Sequence, residues 1–470
     1  MIDALPTFGE GYYIVEWLVR LGALATIPFR RTAAATRSWL LLIFFLPVPG
    51  LLLFFAIGNP RFPRWRASRF DRLRPFFAEL TGRLEKTASV PAECGSDIAA
   101  LTARLGYLPA VGGNAAEFIH GYDTMIDRLV ADIDGARHHV RLLAYIFADD
   151  AVGLTVIAAL GRAVARGVPC HVLVDPVGSR PWVRGTMERL KAAGVEARLT
   201  LPFRWLHGRT RRDMRNHRKL FLIDGTIGYA GSQNIVRKDF RPGVVNRELV
   251  VRIGGPAVAE MSAVFLADWY LETEQLLEPA PLIAPPMGHA TVQALPSGAE
   301  YPLEGFHTLL VWQINRAQRR IVIVTPYLIP DEALVGALQT AALRDVEVDL
   351  VVSEIADQRF VNLAQSSYYD ELLASGVRIH RYRDYLLHAK NVTIDDRLAI
   401  LGSSNVDIRS FQLNEEISLL LFDPASIAQL LEVQRGYLQG SDPVSLPDWR
   451  RRGRLRKLAE NGARLVSPLL

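Results

Sequence analysis

Two stretches of this chain carry residue types that could do chemistry together. They are His217 to Asn234, HRKLFLIDGTIGYAGSQN, and His388 to Asn405, HAKNVTIDDRLAILGSSN. Both read H-x-K-x4-D followed by G-S-x-N, and every key residue of the second lies 171 positions after its counterpart, as 388 is after 217. An imidazole can attack phosphorus or carry a proton, an ammonium can hold phosphate oxygens, and a hydroxyl and a carboxamide add neutral donors. With only 10 histidines in the chain, one H-x-K-x4-D by chance is expected at roughly the one-in-a-hundred level. An isolated histidine is usually structural, but two copies with the same tail at the same offset make coincidence negligible.

The elements that must position these groups are two β-hairpins. LFLI and NVTI are strand-like runs, Asp224-Gly225 is a strong two-residue turn signal, and Asp395-Asp396 is a weaker one. Residues two apart share a strand face, so His217 points with Lys219 and His388 with Lys390. A two-residue turn predicts a register that sets Ser232 across from His217 and Ser403 across from His388, with Asn234 and Asn405 just beyond. Asp224 and Asp395 fall at the turns, where they are expected to hold the turn or orient a partner. A half-site present twice suggests a pseudo-two-fold with both hairpin ends facing one cleft. Two imidazoles then flank a phosphodiester, one attacking in line while the other protonates the leaving alkoxide. Lys219, Lys390, Ser232, Asn234, Ser403 and Asn405 are expected to hold the non-bridging oxygens. No His/Cys ligand set has metal spacing, so neither metal nor other cofactor is expected and the lysines take the metal's place. The motifs are symmetric and do not say which histidine attacks.

Around the hairpins the text repeats. VRLLAYIF (140–147), a helix, VPCHVLVD (168–175), a helix and VEARLTL precede the first. IVIVTPYL (321–328), a helix, VEVDLVVS (346–353), a helix and VRIHRY precede the second. Strands alternating with helices, twice over, predict an α/β fold in two duplicated halves. The expected organisation is N-terminal membrane segments in 1–60 (about 11–29 and 38–60) and a basic juxtamembrane linker over 61–106. A first domain at 107–277, a Pro-rich linker at 278–290, a second domain at 291–440 and a basic tail at 441–470 follow. Residues 38–60 hold no charge, long enough for a bilayer, although Pro47, Pro49 and Gly50 allow a kink or a re-entrant hairpin. The run 11–29 carries Glu16 and Arg20 and is the poorer span. Arg61, Arg64, Arg66, Arg69, Arg72 and Arg74 beside it argue for the cytoplasmic side and for anionic lipid. The tail from Trp449 is a basic amphipathic segment, either packed on the body or lying on a membrane. At 470 residues two domains are the default, and a net charge of +5 suits an anionic partner. Cys94 and Cys170 offer no disulfide framework.

Paired H-x-K-x4-D…G-S-x-N motifs resemble the phospholipase D superfamily. LHAK and SSNVDIRSFQLNEE are similar to the bacterial cardiolipin synthase family, over nearly the whole chain and including the terminal SPLL. The resemblance implies two phospholipase D-like α/β/α sandwich domains related by a pseudo-two-fold and preceded by N-terminal transmembrane helices. It also implies a metal-free phosphohistidine route, with His217 as nucleophile and His388 as acid, then base. Glu248 in VNRE and Glu416 in LNEE occupy the family's downstream acidic positions, where a carboxylate orients a catalytic imidazole. Asp396 replaces the usual glycine, which touches the turn type more than the chemistry. The expected activity is phosphatidyl transfer between two phosphatidylglycerol molecules, giving cardiolipin and glycerol at the inner membrane of a bacterial cell. Two other readings compete: a membrane-tethered phospholipase D hydrolase or phosphodiesterase, and a lipid-binding scaffold with a dead site. The membrane segments argue against a nucleic-acid partner, and oligomeric state leaves no sequence signal. By family position Tyr145 and Tyr327, at matching strand ends, and the turn Asp175–Ser179, after another strand, could line the cleft, but a core or loop role is an equal alternative and they stay outside the expected site.

Overall fold

The computed structural model describes residues 8–29, 31, 33–58, 62–87, 96–202, 213–278 and 281–467. Arg61, Cys94 and the last three residues of the SPLL terminus therefore lie outside the described residues. Fifteen strands form one mixed sheet. In the first half Val140–Ala144 runs parallel to Cys170–Val174, which runs parallel to Glu196–Leu199. On its other side the hairpin Leu220–Ile223 and Ile227–Gly231 pairs antiparallel, followed by Val250–Gly254 and Val111–Ile119. The second half repeats this with Arg320–Val324, Glu347–Ser353, Arg378–Tyr382, the hairpin Asn391–Ile394 and Leu398–Gly402, then Glu416–Leu421 and Ala290–Ser297. The halves fuse where Val111–Ile119 pairs with Ala290–Ser297.

Both faces of this sheet are covered, which is why its inner strands read as unbroken apolar runs instead of alternating ones. Successive side chains feed different cores. Leu142, Phe221 and Ile223 pack under the helices Tyr122–Gly135 and Ala151–Ala165. Leu143, Leu220 and Leu222 pack on the opposite face against Val258–Thr273, a helix buried nearly all round through Phe265 and Trp269. Helices thus sandwich the sheet, in two α/β halves of like order.

Three sequence expectations change. The first concerns the hairpins. Ile223 faces Ile227 and Ile394 faces Leu398, so each connection has three residues, not two. Asp224, Gly225 and Asp395 take positive φ (+55°, +64° and +50°), a conformation open to Asp and Gly at low cost. The slip of one residue takes Ser232 and Ser403 away from the positions opposite the histidines.

The second is the N-terminal transmembrane helices: among the described residues no helix is long and apolar enough to cross a membrane. Pro47 breaks the uncharged run 38–60, which is shared between the helices Ala33–Phe45 and Pro47–Ile57, of 13 and 11 residues. At a rise of 1.5 Å per residue these reach only about 20 and 17 Å, against a hydrocarbon core of about 30 Å. The two fold back on each other. Trp39 packs edge-on to Phe54 with ring centroids 5.2 Å apart, and a Cβ on Gly50 would sit 3.0 Å from Ile43. Phe8–Thr26 is longer but carries the ion pair Glu16–Arg20. Without a span, the arginine argument for a cytoplasmic side loses its footing.

Third, residues 61–106 hold the helices Arg64–Asp71, Arg74–Thr87 and Ser96–Gly106 where a basic linker was expected. Phe70, Phe77, Leu80 and Leu84 recur at helical spacing and join the core beside Tyr301. Arg66 is 1% exposed and is held by Glu272 at 2.7 Å and Glu300 at 2.6 Å. Arg66→Met strands two buried carboxylates, and an expected loss of about 3–5 kcal/mol of stability follows. A thermal melt checks it, and an unchanged Tm contradicts this placement.

Candidate active site

The two halves meet at one cleft of about 320 Å3, and His217 and His388 both line it, with Asn234 and Asn405. The strands that follow each hairpin cross over to hold the other half's histidine. His217 N–H donates to the carbonyl of Glu415 and His388 N–H to that of Arg247, each at 2.8 Å. The next residue along each strand then presents its carboxylate. Glu416 of the second half lies 3.0 Å from His217 Nδ1, and Glu248 of the first half lies 2.9 Å from His388 Nδ1. An ionised carboxylate can only accept, so each Nδ1 carries the proton and each Nε2 is left with its lone pair.

Burial disfavours the charged form of both imidazoles. Burial pushes His388 down to about 4 and lowers His217, against the pull of their glutamates. Burial would raise the carboxyl of Glu248, but His388, Lys390 and Ser232 outweigh it and hold the group at about 2. Glu416 is likewise kept below the usual range, burial being outweighed by His217, Lys219 and Ser403. The lysines sit behind the histidines, Lys219 Nζ donating to His217 O at 2.7 Å and Lys390 Nζ to His388 O at 2.6 Å. Burial lowers Lys219 to about 7 and Lys390 to about 8. Each is cationic below its value and neutral above it. With an anionic substrate, and with His388 needed as proton donor, kcat/KM is therefore expected to fall as pH rises above about 4 and more steeply through about 7 to 8, since this ratio reports the free enzyme. A pH–rate profile measures it, and a flat line to pH 9 contradicts it.

The remaining residues divide. Ser403 Oγ donates to Glu416 and accepts from Ile417 N–H at 3.0 Å, and Ser232 Oγ accepts from Leu249 N–H at 2.9 Å. Both hydroxyls brace the glutamates and their strands instead of facing phosphate, a consequence of the register slip. Asn234 Oδ1 accepts from Ile146 N–H at 3.0 Å, while Asn405 Oδ1 is buried with no hydrogen-bond partner. Asp224 and Asp395 stand at the far hairpin ends, away from the cleft. Asp224 accepts from the amides of Arg137, His138 and His139, and Asp395 from those of Gln318, Arg319 and Arg320. They pin each hairpin to the start of the neighbouring strand.

Some contributors are residues that the sequence reading noted but left outside the site. Tyr145 lies edge-on to His217 at 4.6 Å between centroids, with Lys219 Nζ 5.2 Å from its ring. Its repeat partner Tyr327 also lines the cleft, and that duplication was the available signal. Asp175 takes Arg215 in a two-pronged pair at 2.7 and 2.9 Å, fixing the chain two residues before His217. The Asp-Pro turn after a strand hinted at it, but its partner did not show.

Comparison with known proteins agrees with this geometry. The family model "Cardiolipin synthase, PLD-like domain" matches residues 129–269 and 310–435, one segment in each half. Cardiolipin synthase A of Pectobacterium carotovorum is 32% identical over 98% of this chain and 99% of its own. Cardiolipin synthase A of Proteus mirabilis is 32% identical over 97% and 98%. Among solved structures, phosphatidylserine synthase of Haemophilus influenzae superposes with a TM-score of 0.59, covering 79% of this chain and 99% of that one at 15% identity, a likeness of fold. Matched on both motif-bearing halves and along almost its full length, the chain belongs to the cardiolipin synthase family of the phospholipase D superfamily.

Proposed function

We propose that the protein is a cardiolipin synthase that moves a phosphatidyl group from one phosphatidylglycerol to another through a phosphohistidine. The crosswise pairing of each histidine with the other half's glutamate carries this reading, because it makes one site from two incomplete ones. His217 Nε2 attacks phosphorus in line, and the P–O bond to glycerol breaks. The seated phosphodiester anion favours the imidazolium of His388, backed by ionised Glu248, and His388 gives its proton to the departing glycerol oxygen. Neutral His388 next takes the proton from a hydroxyl of the second phosphatidylglycerol as that oxygen attacks phosphorus, and His217 is freed. The positive charge of Lys219 and Lys390 behind the histidines, and Asn405 Oδ1, which has no partner of its own, fit the charge and hydroxyls of such a substrate. The test is phosphatidylglycerol as sole lipid, with cardiolipin and glycerol expected in equal amounts. Phosphatidate without cardiolipin would instead mark a hydrolase.

The N-terminal helices bring the enzyme to its lipid by contact with a bilayer. The N-terminal helices expose a large apolar surface, with Leu18, Phe45, Leu52 and Phe55 at 64, 77, 65 and 63% exposure. Contiguous apolar area of this kind marks an interaction site. Substituting Phe45, Leu52 and Phe55 together by Ser is expected to lower co-sedimentation with phosphatidylglycerol vesicles at least about tenfold, the loss of several inserted side chains. Undiminished sedimentation of that variant contradicts the contact.

A further inference from the structure

A second cavity, of about 780 Å3, lies next to the catalytic cleft. Ala35, Pro330, Ala333, Ile408 and Leu465 give it apolar wall, set among charged and polar side chains such as Glu304, Asp331 and Arg464. Three elements run from one space into the other. Ile408 lines both. Ile329 lines the cleft and the adjoining Pro330 the cavity; Ser467 lines the cleft and Leu465, two residues earlier, the cavity. Local sequence explains the continuity. Asn405 of the second G-S-x-N motif faces the cleft, and three residues later Ile408 opens the helix Ile408–Gln412, capped by Asp407 accepting from Ser410 N–H at 2.7 Å. Ala35, Arg37 and Ser38, at the start of the folded-back apolar helices, also line the cavity. An exposed ion pair, Arg37–Glu332 at 3.2 Å, stands among the lining residues.

From this we infer that the cavity is an acyl-chain site: it takes a hydrocarbon tail of the lipid whose phosphate lies between His217 and His388. The inference rests on the functional reading above and extends it to the part of the substrate that does not react. Its size falls within the range of small-molecule sites, and a tail gains by leaving water for the apolar part of its walls. The cavity shares Ile408 with the cleft and reaches the first turns of the apolar helix Ala33–Phe45. A lipid can keep its headgroup at the histidines while its tail stays dry along the way to the bilayer. The charged side chains that line the cavity suit the polar boundary of such a passage.

The test compares dipalmitoyl with dihexanoyl phosphatidylglycerol in one detergent, using the full chain. Ala333 is exposed on the first turn of the helix Glu332–Leu343, so Ala333→Trp adds bulk to the cavity and not to a packed core. The ratio of kcat/KM for the long lipid over the short one is expected to fall about tenfold or more, the displacement of roughly two buried methylenes. An unmoved ratio overturns the site. Should both activities fall together, a second measurement on the unaltered enzyme decides. Phosphatidylglycerol with a photoreactive group at its tail end is expected to label peptides spanning 330–333, 408–412 or 461–465, and label absent from all three overturns the site. No cardiolipin from either lipid with the unaltered enzyme would sink the functional reading instead, while the labelling still reports on the cavity.

Discussion

His217→Ala and His388→Ala each reduce cardiolipin formation by roughly 10^4-fold or more, because each removes a group that no neighbour replaces. The two losses differ in kind. Without His217 there is no atom to take the phosphatidyl group, so neither glycerol nor a covalent adduct forms. Without His388 the nucleophile remains beside its glutamate, but glycerol leaves as an unprotonated alkoxide, and the first step slows. A donor whose leaving group needs no proton restores adduct formation to the His388 variant and not to the His217 variant. The double variant is no worse than His217→Ala alone, since residues acting as one unit lose their effect together. Product analysis and single-turnover kinetics measure all of this. Retained turnover in either single variant contradicts the two-histidine scheme.

Glu416→Gln lowers the rate of covalent transfer by about 10^3-fold or more, although the residue is in the opposite half from the nucleophile it serves. Glutamine keeps the volume and one acceptor, but it loses the charge that sets the His217 tautomer and supports the imidazole as it becomes positive. The carboxylate is itself held in place, accepting from Ser403 Oγ and from Ser410 Oγ at 3.0 Å. Glu248→Gln does the same to His388, and its loss falls on the proton transfer to glycerol. The two variants thus separate by substrate: a donor with a good leaving group rescues Glu248→Gln and leaves Glu416→Gln slow. The opposite pattern would mean that each glutamate serves its own half.

The motifs, the repeat and the α/β character were legible in sequence because they are local: spacing within a strand, alternation of elements, a fixed offset. The pairing of His217 with Glu416 was not, since 199 residues separate the partners and either glutamate could have served either imidazole. Only the crossing of the strands, seen in the bonds from His217 to Glu415 and from His388 to Arg247, settles it. The roles read for Ser232 and Ser403 depended on turn length. A three-residue connection with Asp at positive φ looks in sequence much like a two-residue one, and the difference of one residue turns a phosphate ligand into a brace for a carboxylate. Hydropathy alone counted 38–60 as one span, although Pro47 marked the break where the helix folds back. Charge alone counted Arg66 among the arginines that meet anionic lipid. Its burial follows from carboxylates at 272 and 300 that no local reading ties to it.

The central claim is that one phosphorus passes through His217 in a site completed by both halves. Phosphatidylglycerol labelled with radioactive phosphorus, mixed with the enzyme and quenched within a turnover, tests it most directly. The account predicts label bound through an acid-labile, base-stable linkage on the peptide carrying His217, chased into cardiolipin on adding unlabelled phosphatidylglycerol. Cardiolipin forming at full rate with no label on that peptide would contradict it.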